Sequence, residues 1–366
     1  MKIERAIISG GGTGGHIFPA IAIADELKRR NPEVEILFVG AVGKMEMTKV
    51  PEAGYKIEGL EIVGLKRKLA LSNFALPFKI IKSLLKARKI VKSFNPQVVV
   101  GVGGYASGPT LKAATMLKYP SIVQEQNSFP GKTNKILSKS VTKICVAYDG
   151  LERFFPKEKI VFTGNPTRKE MVEITGKAKE GFEFYGFDAS KPVILVIGGS
   201  LGARTLNESV VDHLDELVFD NVQVLWQCGK LYNGQLQEKL KGKDMGAVKM
   251  VQFIERMDLA YAIADVVISR AGAISVSELC LVKKPTILVP SPNVSEDHQT
   301  KNAMALVEKN AAILVKDVDA KAELLAEAIR LIGDFDQKAE LIKNIETLGR
   351  PNATSEIVNV LEGIAK

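Results

Sequence analysis

The stretch Ile8-Ser9-Gly10-Gly11-Gly12-Thr13-Gly14-Gly15-His16 decides the fold. A β-branched run, Ala6–Ser9, enters a glycine loop. The loop leads into a helical pattern in which Ile17, Ile21, Ala24 and Leu27 recur as far as Arg30. Ile197-Gly198-Gly199-Ser200-Leu201-Gly202-Ala203 repeats the unit in the second half. Strand, glycine loop and helix in that order make the phosphate-binding unit of doubly wound sheets. Its recurrence predicts an α/β chain of two Rossmann-like domains facing across a cleft.

Outward from the first unit, strands are expected at Glu35–Val39, Val98–Val102, Ser121–Gln124, Lys143–Ala147 and Lys159–Phe162. A second series starts at Val193–Ile197 and runs through Val222–Trp226, Val248–Met250, Val266–Ile268, Thr286–Val289 and Ala312–Val315. Between the series, Thr163-Gly164-Asn165-Pro166-Thr167-Arg168 carries turn chemistry. The domains are therefore expected over 1–163 and 164–342. A helical tail, 343–366, is broken at Gly349-Arg350-Pro351 and is expected to pack back toward the first domain.

With 366 residues, 46% apolar and 25% charged, the chain can bury two cores and is not a disordered sequence. No uncharged apolar run approaches the ~18 residues a membrane span needs. The start leads straight into a strand, so no secretory signal is expected. Cys145, Cys228 and Cys280 are too few and too scattered for a disulfide framework or a zinc site, which fits a reducing compartment.

Charge is divided unevenly. Residues 1–165 carry 26 Lys and Arg against 13 Asp and Glu, and the remainder carries 24 against 29. The first half is thus expected to face an anionic surface. Residues 65–94 hold nine Lys or Arg and no acid, interleaved with Phe74, Leu76, Phe78, Ile81, Leu84 and Leu85. Lys66, Arg67, Lys68, Phe74, Leu76, Phe78, Lys79 and Lys82 form the candidate membrane-docking set, each basic residue worth ~1 kcal/mol near an anionic leaflet. Nucleic acid fits less well, because no aromatic stacking platform or recognition motif accompanies the charge.

A third glycine loop, Gly101-Val102-Gly103-Gly104-Tyr105-Ala106-Ser107-Gly108, follows another strand. Three such loops point to an anionic ligand at backbone N–H groups and helix N-termini. None has the Gly-Lys-Ser/Thr of a P-loop. The second strand ends Phe38-Val39-Gly40-Ala41, without the carboxylate a dinucleotide ribose would want. A candidate ribose carboxylate stands later, at Glu278, within the helix after Val266–Ile268, the alternative being a solvated Glu that complements the helix dipole. His16 follows its glycine loop at a helix start, where a neutral imidazole can take a proton from a hydroxyl. No His, Cys or carboxylate cluster has metal-ligand spacing, so neither metal nor cofactor is expected. Helix N-termini with Arg168 or Arg204 would then stabilise a departing diphosphate.

Taken in order, Gly11-Gly12-Thr13-Gly14-Gly15-His16, Gly103-Gly104-Tyr105, Glu125-Gln126-Asn127, Gly164-Asn165-Pro166-Thr167-Arg168, Gly198-Gly199-Ser200 and Ser275-Val276-Ser277-Glu278 resemble one family over nearly the whole chain. It is the bacterial undecaprenyl-diphospho-muramoylpentapeptide N-acetylglucosaminyltransferase family, the MurG family. The resemblance implies the two-domain GT-B glycosyltransferase fold. It also implies inverting, metal-independent transfer of N-acetylglucosamine from UDP-GlcNAc to the C4 hydroxyl of lipid I, giving lipid II for the peptidoglycan cell wall. By the same resemblance, Thr13, Gly14, Gly15 and Asn127 belong to the first-domain side of the donor site. Arg168 and Ser200 would hold the diphosphate. Ile254 would meet uracil through its backbone, and Glu278 the ribose. Ala273, Ile274, Ser275, Val276 and Ser277 would lie against the donor, and Gln299 would read the sugar hydroxyls. Gly103, Gly104 and Tyr105 form the acceptor signature. His16 is the leading candidate base, with Glu125 the alternative. The implied location is peripheral, on the cytoplasmic face of the bacterial inner membrane. The implied partners are UDP-GlcNAc, lipid I, anionic phospholipid and the cell-wall and division machinery.

Leu201, Gln124 and His298 depart from the family's usual residues, and Leu201 and His298 bear on the donor-sugar contacts. Rival readings are a diacylglycerol glycosyltransferase of related fold, a non-catalytic UDP-sugar-binding membrane adaptor, and a sugar-nucleotide epimerase. The acceptor signature disfavours the first, His16 the second and the docking stretch the third.

Overall fold

The computed structural model describes residues 2–62, 76–167, 172–219 and 222–365, with the backbone alone at 76–79, 218, 219 and 295. Contacts divide the chain into two compact units, Met1–Thr167 with Arg350–Lys366, and Arg168–Gly349. The first division thus falls within the Thr163–Arg168 turn, and the tail rejoins the first unit from Arg350 onward.

Among the described residues of the first unit, seven strands form one parallel sheet: β1 (Arg5–Ser9), β2 (Glu35–Ala41), β3 (Lys56–Leu60), β4 (Val98–Gly101), β5 (Ser121–Glu125), β6 (Lys143–Val146) and β7 (Ile160–Phe162), in the order β3-β2-β1-β4-β5-β6-β7. Successive residues of a strand face opposite sides. Accordingly Ala6, Ile8, Val98 and Val100 enter one core while Ile7 and Val99 enter the other. Both faces are covered by helices, as a parallel sheet requires. Helices α1 (Gly14–Arg30), α2 (Glu46–Glu52), α3 (Leu76–Phe94), α4 (Ser107–Met116) and α5 (Lys132–Leu137) lie between the strands.

β3 is absent from the sequence expectations, because Lys56-Ile57-Glu58-Gly59-Leu60 is an edge strand with a half-polar pattern. The last helix, Ala353–Ile364, places Ile357, Val358 and Leu361 in the core shared with Ile17, Ile21 and Ala24 of α1. Arg30 fastens it through Asn359 Oδ1 at 2.7 Å, Glu362 Oε2 at 2.9 Å and the Ser355 carbonyl at 2.9 Å.

Six strands form the sheet described in the second unit: β8 (Val193–Ile197), β9 (Gln223–Gln227), β10 (Val248–Val251), β11 (Val266–Ser269), β12 (Thr286–Leu288) and β13 (Ile313–Leu314), ordered β10-β9-β8-β11-β12-β13 and all parallel. Strand order therefore reverses between β1 and β4 in one unit and between β8 and β11 in the other. Ligands of open α/β sheets bind at such switch points, beyond the carboxyl ends of the strands. The glycine loops lie at those ends.

Candidate active site

In the first unit, the loop after β1 packs against the loop after β4. A Cβ on Gly104 would stand 2.3 Å from the Gly11 carbonyl oxygen, and one on Gly103 would stand 2.9 Å from His16 Cδ2 and Nε2. Both glycines have positive φ, so close approach and backbone conformation select them together. His16 is half-buried in the first turn of α1. Its Nδ1 lies 3.0 Å from the Gly11 carbonyl oxygen and 3.3 Å from Thr13 Oγ1. A carbonyl oxygen only accepts, so the neutral ring carries its proton on Nδ1 and Nε2 is the accepting nitrogen. Nε2 lies on the Gly103 side, and Tyr105 follows on the same loop, 49% exposed.

Two expectations for this unit are corrected. The Gly11–Gly15 loop does not present all its amides to a phosphate, because the Gly12 N–H donates to the buried Glu46 carboxylate at 2.8 Å. Gly14 and Gly15 open α1, whose first N–H groups have no partner within the helix. Glu125, the alternative base, is 1% exposed. It accepts from Asn127 N at 3.0 Å, Asn127 Nδ2 at 3.1 Å, Gly131 N at 3.1 Å and Asn134 Nδ2 at 2.8 Å. A carboxylate so engaged orders the Asn127–Gly131 loop, and four donors already occupy its two oxygens.

The second unit contains an open cavity of about 580 Å³ at its switch point. It is lined by Gly198, Gly199 and Gly202 of the loop after β8, by Arg270 and Ser275, and by Gln299. A Cβ on Gly199 would meet nothing within 4 Å, which leaves its backbone open to a ligand. Gly202 is different: a Cβ there would lie 2.1 Å from the Cys228 carbonyl oxygen. The helix Arg204–Asp212 begins at this loop and turns its positive end toward the cavity. Arg270 and Asp317, missed in the sequence, form the cavity's charged wall. Arg270 Nη1 reaches Asp317 Oδ1 at 2.5 Å and the Val289 carbonyl at 3.0 Å, while Thr205 Oγ1 donates to Asp317 Oδ2 at 3.0 Å.

Gln299 Oε1 accepts from Ser291 N at 2.9 Å, which orients the side chain at the cavity wall. Two consecutive non-glycine residues with positive φ, Glu296 and Asp297, deliver the helix that carries it. Such strain persists where the surrounding structure holds it, characteristically at ligand sites. Ser200, exposed on its loop, buried Ile254 and part-exposed Glu278 all lie outside the cavity lining. The Ile254 N–H is held by Gln227 Oε1 at 3.0 Å, so a backbone contact to a base falls to its carbonyl. Ala273, Ile274, Ser275 and Ser277 are part-exposed on the helix Ala273–Val282, whereas the Val276 side chain is 1% exposed and belongs to the core. Glu278, on the same helix, accepts a hydrogen bond from Tyr261. Burial, followed by the Glu278 charge and that bond, pushes the Tyr261 hydroxyl well above the usual phenol range.

Among the described residues, no group of three or more His, Cys, Asp and Glu side chains could hold a metal ion. Arg168, Lys66, Arg67, Lys68 and Phe74 lie outside the described residues, as do the side chains of Leu76, Phe78 and Lys79 in α3. Farther along α3, Ile80, Ile81 and Leu85 are 44%, 56% and 60% exposed, while Ala87, Ile90 and Val91 face the core. Lys82 pairs with Glu61 at 2.6 Å, and both side chains remain largely solvated. No described helix is long and apolar enough to cross a membrane.

Residues 6–146 match the glycosyltransferase family 28 N-terminal domain, and residues 193–356 match its C-terminal domain. The chain is 53% identical to a Flavobacterium psychrophilum protein over 98% of this chain and 97% of that one. It is 55% identical to a Cytophaga hutchinsonii protein, over 98% and 96%. Each relative is named UDP-N-acetylglucosamine--N-acetylmuramyl-(pentapeptide) pyrophosphoryl-undecaprenol N-acetylglucosamine transferase. Among solved structures, Acinetobacter baumannii MurG aligns with a TM-score of 0.78 at 28% identity, covering 98% of this chain and 99% of that one.

Proposed function

This chain belongs to glycosyltransferase family 28, and from that membership we infer that it transfers N-acetylglucosamine from UDP-N-acetylglucosamine to lipid I, releasing UDP and lipid II. The observation that carries the reading is identity above 50%, along almost the full chain, with transferases named for this reaction. The second unit's cavity supports it, being of a size for a sugar nucleotide and walled by glycine amides and a helix N-terminus.

His16 Nε2 takes the proton of the lipid I C4 hydroxyl as that oxygen attacks the anomeric carbon on the face opposite UDP. The bond from the anomeric carbon to the phosphate oxygen breaks, its electron pair leaves with UDP, and the configuration inverts. Amides of the Gly198–Gly202 loop other than that of Gly202, which donates to the Gly199 carbonyl at 3.0 Å, and the positive end of the helix after it receive the diphosphate charge, aided by Arg168 and Ser200. Gly103, Gly104 and Tyr105 flank the acceptor hydroxyl. Thr13, Gly14, Gly15 and Asn127 complete the donor side, the Ile254 carbonyl meets uracil, and Gln299 reads the sugar.

Glu278, its carboxylate oriented by the Tyr261 hydroxyl, accepts from the ribose hydroxyls. Tyr261→Phe therefore weakens UDP binding about fivefold, the worth of one hydrogen bond of about 1 kcal/mol, with kcat little changed. Calorimetry with UDP measures this, and equal affinity would detach Tyr261 from donor binding.

The outward face of α3, with Ile81 and Leu85 beside Lys82, Lys86 and Lys89, rests on the anionic cytoplasmic leaflet and brings the enzyme to its lipid substrate. The exposed Lys82–Glu61 pair is weak enough to give way to lipid phosphate.

The deciding experiment offers radiolabelled UDP-GlcNAc with a lipid I analogue or diacylglycerol in anionic vesicles, in the presence of EDTA. Label on the lipid I analogue supports donor, acceptor and metal independence together. Label on diacylglycerol overturns the acceptor, and UDP binding without transfer points to an adaptor. Vesicle binding that does not fall with rising salt would refute the electrostatic docking.

A further inference from the structure

One peptide group separates His16 from a buried carboxylate. The Gly11 carbonyl oxygen, which takes the His16 Nδ1 proton at 3.0 Å, belongs to the same planar unit as the Gly12 N–H, which donates to Glu46 Oε2 at 2.8 Å. Glu46 is 1% exposed, and its other oxygen accepts from Ala41 N at 2.9 Å. Two glycines, Gly11 in the loop after β1 and Gly40 within β2, make room for it. A Cβ on Gly11 would fall 2.2 Å from Glu46 Cδ, and one on Gly40 would fall 2.6 Å from Glu46 Cγ. A side chain accommodated at two glycines and bonded to two backbone amides is a built part of this end of the sheet.

We propose that Glu46 is a positioning residue for His16, acting through the Gly11–Gly12 peptide as a carboxylate–peptide–imidazole relay. The carboxylate fixes the plane of the peptide and polarises it, because serial hydrogen bonds strengthen one another where the local dielectric is low. The Gly11 oxygen becomes a stronger acceptor, holding the proton on Nδ1 and turning Nε2 to the substrate side. When the ring takes a second proton, the charge on Nδ1–H faces an oxygen backed by a carboxylate. A carboxylate bonded directly to imidazole does the same in hydrolytic triads. The relay rests on His16 as the base, so its test must separate the two ideas.

The chain has three histidines, His16, His213 and His298, so the ring nitrogens of ¹⁵N-histidine-labelled protein can be assigned with His16→Ala as reference. In the natural protein, neutral His16 is expected as the Nδ1–H tautomer alone. The Nε2–H tautomer would overturn the relay without any variant of Glu46. Glu46→Gln keeps the shape but loses the charge and presents an NH2 group to a backbone N–H. It is expected to yield a tautomer mixture and to lower kcat about tenfold, with KM for UDP-GlcNAc unchanged. In a His16→Ala background the same change should cost kcat nothing further. An equal loss in both backgrounds, or an unaltered His16 spectrum in Glu46→Gln, would refute the relay. A His16→Ala enzyme of unchanged kcat would refute the base and leave the tautomer result to decide whether Glu46 orients the ring.

Discussion

Replacing His16 by alanine lowers kcat by about 10²–10⁴-fold, the range that positioned proton transfer contributes. UDP affinity stays nearly as it is. The two expectations come from the same geometry: His16 stands at the switch point of the first sheet, whereas the cavity proposed for UDP is lined wholly by residues of the second unit. Loss of the imidazole would remove the proposed acceptor for the C4 hydroxyl proton, a contribution made only as the glycosidic bond forms, so the loss is expected in kcat. His16→Gln is the informative companion. Its amide can fill the space against Gly103 and bond the Gly11 carbonyl, yet it cannot take up a proton at working pH. Equal defects in the alanine and glutamine variants identify the proton, and recovery with glutamine would identify packing. An alanine variant with undiminished kcat would remove His16 from the chemistry.

Most of the framework is legible in the sequence because parallel strands buried on both faces read as continuous β-branched runs. Val98–Val102 and Val193–Ile197 are such runs, and the glycine loops that follow β1, β4 and β8 mark the switch points directly. β3 is not legible, since an edge strand need bury only one face and its lysine and glutamate break the pattern. Site residues divide along similar lines. His16 sits beside its own signature. Arg270 and Asp317 meet across 47 positions, and Glu46 reaches Gly12 across 34, so no local pattern records either pairing. Glu125 shows the opposite failure. A carboxylate next to Gln126-Asn127 reads as a catalytic group, and only the four donors around it reveal that its lone pairs are spent on the loop. The glycines of the first and third loops mislead in a milder way. Their signal is that of a phosphate cradle, but Gly104 is required by the Gly11 backbone and Gly11 by the Glu46 side chain.

Glu278→Ala should weaken UDP-GlcNAc binding by ~1.5–3 kcal/mol, about 10- to 150-fold, the scale of hydrogen bonds to a charged acceptor. Much of that loss should appear in KM, because a ribose held by Glu278 in the proposed mode takes no part in the bond change and would be held equally in ground and transition states. The substitution has a second consequence. Tyr261 is 1% exposed, and removing Glu278 takes away the acceptor of its hydroxyl. A buried hydroxyl without a partner costs about 1–3 kcal/mol of stability, so Glu278→Ala should also melt earlier than the natural protein. Adding Tyr261→Phe removes the stranded hydroxyl. The double variant should therefore regain thermal stability without regaining any affinity for UDP, a separation that a general loosening of the second unit cannot produce. Calorimetry for UDP and thermal unfolding of the three variants decide it. Unchanged affinity in Glu278→Ala would refute the ribose role, and a double variant no more stable than Glu278→Ala would refute the part given to Tyr261.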